Sequence, residues 1–136
     1  MTAEGWTKVT PEQQKKASEK YIQELEAKRG PAEEAAAALL AQGKYEEAEL
    51  AIQGVDSSIY GAVALARLYE ARLASIVKQG AVRKDKGGVE VLFRRALSWA
   101  KNCYPEAHTE YEAEQYERGR SQDRARLVGI LGYEPV

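Results

Sequence analysis

Few side chains in this chain are of a kind that does chemistry, and their spacing is poor for it. His108 is the only histidine and Cys103 the only cysteine. One of each cannot build a Cys/His zinc site within one chain. Cys103 closes an apolar helical face, which predicts a buried, inert thiol rather than a nucleophile. His108 follows Pro105-Glu106-Ala107 and has no nucleophile beside it, so it reads as a surface residue at a helix start. Glu106, Glu110, Glu112, Glu114 and Glu117 form a dense acidic series, with Glu110, Glu114 and Glu117 on one helical face. Carboxylates hold hard cations, but no Glu-x-x-His ligand motif is present, and a solvated acidic face is the expectation. Gly87-Gly88 lacks the spacing of a phosphate-cradling loop. The expected function is non-enzymatic, with no catalytic residue, no cofactor and no metal.

Cationic chemistry is better represented. Lys78, Arg83, Lys84 and Lys86 flank a loop, and Arg94 and Arg95 follow on the next helix. Together they form a candidate patch for an anionic partner: an acidic protein, phospholipid headgroups or RNA. Phosphate contacts of this kind are sequence-blind and salt-sensitive. Residues 57–103 carry nine Lys/Arg against three Asp/Glu, yet the 136-residue chain has a net charge of −1. A neutral total without interleaved aromatic platforms argues against general nucleic-acid binding.

The elements that would position these groups are helical. No alternating strand pattern and no Asn-Gly or Asp-Gly turn is present. Thr10-Pro11-Glu12-Gln13 opens a first helix with Ala17, Tyr21, Leu25 and Lys28 on one face, Ile22 beside it, and Gly30-Pro31 as its stop. An alanine-rich helix over 32–42 stops at Gly43, and another over 44–53 stops at Gly54. Asp56-Ser57-Ser58 caps a helix over 58–79, whose Gly61 allows close packing and whose stripe is Ala62, Leu65, Ala66, Tyr69, Leu73, Ile76 and Val77. Residues 81–88 read as a polar, basic loop. The helix over 89–103 shows Val89, Leu92, Phe93, Ala96, Trp99 or Ala100, and Cys103 on its core face. A last helical region covers 106–131, with Gly119-Arg120-Ser121 as a candidate break. The fold class is all-α: about six helices in one domain over 10–136, behind a flexible tail over 1–9 that contains Trp6. No apolar run reaches the roughly 20 residues that span a bilayer. The N-terminus has no signal-peptide pattern, and one cysteine suits a reducing compartment, so the cytoplasm is expected.

Residues 31–105 resemble the tetratricopeptide repeat, whose units are antiparallel helix pairs of about 34 residues. Ala36 and Leu39 occupy the first-helix positions; Gly43, Tyr45 and Ala48 match the turn motif; Ile52 and Val55 follow. A second unit over 62–105 matches at Ala66, Tyr69 and Phe93-Arg94-Arg95-Ala96-Leu97, with a longer turn between its helices. The resemblance implies a groove lined by the first helices, where Glu33, Ala37, Leu40, Arg67, Glu70 and Ala71 would meet a partner segment. It implies an adaptor, chaperone or assembly factor whose partner is a protein or peptide. Alternatives are a structural subunit or homo-oligomer, and an anion- or RNA-binding module using residues 78–95.

Overall fold

The computed structural model describes residues 11–135, and every element in it is a helix: α1 (Pro11–Ala41), α2 (Tyr45–Gln53), α3 (Ile59–Lys78), α4 (Ala81–Lys84), α5 (Lys86–Lys101) and α6 (Glu110–Leu131). The all-α expectation holds. The tail over 1–9, Trp6 and the Thr10 cap lie outside the described residues. Six helices also agree in number, but their division differs. The two helices expected over 10–42 are one, and the loop expected over 81–88 contains α4 and the start of α5.

The continuity of α1 corrects the reading of Gly30-Pro31 as a stop. A proline inside a helix removes one hydrogen bond and costs about 3 kcal/mol. Strong helix formers on both sides offset this, and so do ties across the break. The Arg29 guanidinium lies 3.6 Å from Glu33, one turn beyond it, and 3.4 Å from Asp56 ahead of α3. Gly30 is not among the glycines with positive φ, so it makes no left-handed cap. The consequence is an arm. The side chains described over 11–28, Tyr21 and Ile22 included, are exposed, and the apolar face expected of them meets solvent rather than core.

The last turns of α1 pair with α2 across a tight turn. Gly43 sits at φ 75°, a conformation that favours glycine, and the Lys44 N–H donates to the Leu39 carbonyl at 2.9 Å. This turn brings Ala36, Leu40, Ala48 and Ile52 into the core. Small residues at 36 and 48 let the helices approach closely.

The second hairpin is α3 against α5, with α4 in the connection. Ser58 caps α3 by accepting the Tyr60 N–H at 3.2 Å. Asp56 is buried, accepts the Ser58 N–H at 2.9 Å, and accepts the Ser58 hydroxyl as well. Those hydrogen bonds outweigh the cost of burying the Asp56 carboxyl and hold it below the usual carboxylate range, with Arg29 helping. A Cβ on Gly61 would collide with the Asp56 carbonyl oxygen, so close packing there requires glycine. Leu65, Tyr69 and Leu73 of α3 meet Val89, Leu92, Phe93 and Ala96 of α5. Burying such side chains contributes roughly 1.5–3 kcal/mol each.

Helix α6 closes the open side of α3 and α5 with Leu127 and Leu131, and it runs unbroken through Gly119. Thr109 caps it, accepting the Glu112 N–H at 3.0 Å. Its C-terminal end returns towards the α4 connection, where Lys86 Nζ lies 5.1 Å from the centre of the Tyr133 ring. Its first turns, before Tyr116 packs on Tyr104 with ring centroids 5.9 Å apart, are mostly exposed. Four helices, α2, α3, α5 and α6, thus frame two places where charged side chains converge.

Candidate protein-interaction site

The first convergence is centred on Glu49 of α2. One carboxylate oxygen accepts three hydrogen bonds: from the Tyr69 hydroxyl at 2.7 Å, from Trp99 Nε1 at 2.8 Å and from the Arg95 guanidinium at 3.1 Å. Tyr69 is on α3, and Arg95 and Trp99 are one turn apart on α5, so a single side chain ties three helices. The Arg95 guanidinium also lies 5.1 Å from the centre of the Tyr45 ring, which packs on Tyr69 with centroids 6.0 Å apart. Burial and the Glu49 hydrogen bond both raise the Tyr69 hydroxyl pKa. Each polar group faces another and Tyr69 is fully buried, while Arg95 and Tyr45 stay half-buried beside a shallow hollow lined by Lys44, Glu46 and Glu47.

The second convergence is open. A cavity of about 250 Å³ lies between α3, α5 and α6. Its floor is small and apolar: Val63, Ala66, Ala96, Ala100 and Leu127. Its rim is Arg67 and Glu70 of α3, Cys103 and Tyr104 after α5, and Asp123 and Arg126 of α6. The Arg126 guanidinium bridges Glu70 at 2.6 Å and Asp123 at 3.0 Å. The second Asp123 oxygen accepts the Tyr104 hydroxyl at 2.7 Å. Arg67 is exposed and forms no ion pair among the described residues.

The pKa directions at this rim follow from its geometry. Burial, with the Asp123 carboxylate beside it, pushes the Tyr104 hydroxyl up to about 12. Burial raises the Cys103 thiol and Asp123 adds to the effect, while Arg67 opposes it. Cys103 is therefore a protonated thiol at neutral pH, and its Sγ donates to the Trp99 carbonyl at 3.3 Å. Among the described residues no three His, Cys, Asp or Glu side chains are grouped to hold a metal ion.

The residues expected to line a first-helix groove separate. Arg67 and Glu70 reach the α3–α5–α6 cavity, and they face α6 there rather than α1. Leu40 is a core residue at 2 % exposure and presents nothing to a ligand. Glu33 is engaged with Arg29, and Ala37 and Ala71 are exposed outside the cavity. The cationic group separates too. Arg95 turns into the Glu49 cluster and Lys86 lies against Tyr133, whereas Lys78, Arg83, Lys84 and Arg94 stay exposed.

Glu49, Tyr104, Asp123 and Arg126 are the residues that sequence reasoning missed. One signal was present for Glu49: Tyr69 and Trp99 lie on the core faces of their helices, and a buried hydroxyl and indole N–H need an acceptor. Nothing local pairs Arg126 with a residue on α3.

No family model matches this chain, and no curated protein or solved structure matches it. Among the described residues no helix is long and apolar enough to cross a membrane.

Proposed function

We propose that this protein is a non-enzymatic interaction module, an adaptor or assembly factor, and that it receives a segment of a protein partner in the α3–α5–α6 cavity. The observation that carries this reading is an apolar floor rich in alanine beside Arg67, whose guanidinium forms no ion pair among the described residues. Alanines at 66, 96 and 100 leave room for an aliphatic or aromatic side chain from outside. Arg67 supplies a directed charge for a carboxylate next to it in the partner. The neighbouring rim groups are paired with one another, so they fix the shape of the site rather than its ligand. Stacked helical hairpins of the tetratricopeptide kind fit this role, since such scaffolds bind protein segments on their helical faces.

The test uses a partner captured on the full chain and then purified. Ala66→Phe fills the cavity from a half-exposed position, and Arg67→Glu reverses the rim charge. The proposal expects both to weaken binding at least about tenfold, equivalent to about 1.4 kcal/mol, with helicity unchanged. Equal affinity for wild type and Ala66→Phe rejects the cavity as the site.

A further inference from the structure

The two ends of the bundle carry complementary charge that forms no ion pair among the described residues. At one end, where α3 finishes and α5 begins, Lys78, Arg83 and Lys84 are exposed, with Arg94 on the third turn of α5. None of the four forms an ion pair among the described residues. At the other end, the first turns of α6, ahead of Tyr116, are mostly exposed. They present Glu110 and Glu114 on one face and Tyr111 beside them, 71 % exposed. No Lys or Arg occurs from 105 to 117.

This face is more than a group of acids, because the same molecule shows what such a face does. Arg95 is held between the Tyr45 ring and the carboxylate of Glu49, one turn on. Arg120 is held between the Tyr104 ring, 5.3 Å from its centre, and the Glu117 carboxylate at 3.7 Å. A tyrosine ring with a carboxylate alongside is thus the device by which this chain captures a guanidinium, through cation–π attraction and charge together. Tyr111 with Glu114 and Glu110 brings the same side-chain types together on an exposed helix face, with Glu114 one turn ahead of Arg118, and among the described residues no cation lies over the Tyr111 ring.

We propose that the basic end of one molecule receives the α6 face of a second copy, head to tail. Tyr111, Glu110 and Glu114 of one copy would take Arg83 and its neighbours from the next. The ends are opposite and unlike, so the contact is heterologous and builds a chain or ring rather than a closed two-fold dimer. It uses neither the α3–α5–α6 cavity nor its rim, and is independent of the partner-binding reading. Exposed ion pairs contribute little each, so the association is weak and salt-sensitive.

Sedimentation of the full chain at rising concentration tests this. In about 0.05 M salt the weight-average mass should climb beyond a dimer, and in about 0.5 M salt it should return to that of the monomer. Two charge-reversed variants sharpen the test: Lys78→Glu with Arg83→Glu and Lys84→Glu, and Glu110→Lys with Glu114→Lys. Each alone should stay monomeric at low salt with unchanged helicity. An equimolar mixture of the two should associate again, because one then has two acidic ends and the other two basic ones. Tyr111→Ala, which leaves charge untouched, should lower the association of the natural chain. A wild-type chain that stays monomeric at low salt overturns the proposal. So does association that survives high salt and both reversals, or a mixture that fails to associate.

Discussion

The Glu49 cluster and the α3–α5–α6 cavity are built from the same parts: arginine, carboxylate, tyrosine and a helical frame. In the first, Tyr69, Trp99 and Arg95 converge on one oxygen, and the Tyr45 and Tyr69 rings fill the space around it. In the second, Arg126, Glu70, Asp123 and Tyr104 pair around a hollow with an alanine floor. The difference lies in side-chain volume and in Arg67. Where large rings pack against the polar groups, the cluster serves stability. Where alanines leave space and Arg67 forms no ion pair among the described residues, a hollow stays open to solvent.

Perturbing the Glu49 cluster should have the largest effect. Glu49→Ala leaves the buried Tyr69 hydroxyl, the half-buried Trp99 indole N–H and a guanidinium without their acceptor, and should destabilise the fold by about 3 kcal/mol in urea unfolding. A loss below about 1 kcal/mol would show that water replaces the carboxylate there. Tyr69→Phe keeps the ring and removes one donor, and should cost about 1 kcal/mol by the same measurement.

Proton titration separates the two regions along another axis. Tyr104 has its pKa raised in the folded state from 10.0 to about 12, so the stability it contributes is present below pH 10 and is lost as pH rises towards 12. Unfolding followed across that window should show the decline in the natural chain and a smaller one in Tyr104→Phe. Tyr69 is raised further than Tyr104, so its tyrosinate absorbance should appear at higher pH.

At the cavity rim the effects on stability should be small. Arg126→Ala removes exposed bridges from α6 to Glu70 and within α6 to Asp123, and should cost about 0.5 kcal/mol. Arg67→Gln removes no ion pair and should leave the unfolding midpoint within about 0.5 kcal/mol of wild type. A loss of 2 kcal/mol or more at Arg67 would move it from the ligand side of the comparison to the structural side.

Local chemistry made much of this molecule readable in sequence. The Gly43 turn, the Ser58 cap, the close approach at Gly61 and the core faces around Leu65, Tyr69, Leu92 and Phe93 each follow from a residue and its near neighbours. The continuity of α1 does not, because Gly30-Pro31 reads locally as a stop, and one of the contacts beside it, Arg29 to Asp56, lies 27 residues away in sequence. The Glu49 hub joins residues 46 and 50 positions apart, and Glu70–Arg126 spans 56. Helical periodicity states which face of a helix is apolar, and leaves open which helix covers it. For that reason Arg67 and Glu70 were legible as candidates, but the opposite wall of their cavity, supplied by α6, was not.

The most direct test of the central comparison is the affinity of one purified partner for wild type and for Ala66→Phe, measured side by side by calorimetry at equal helicity. Filling the cavity should weaken binding at least about tenfold while the Glu49 cluster and the unfolding midpoint stay as they were. Undiminished affinity would mean that the hollow between α3, α5 and α6 is a packing feature and that binding lies elsewhere on the molecule.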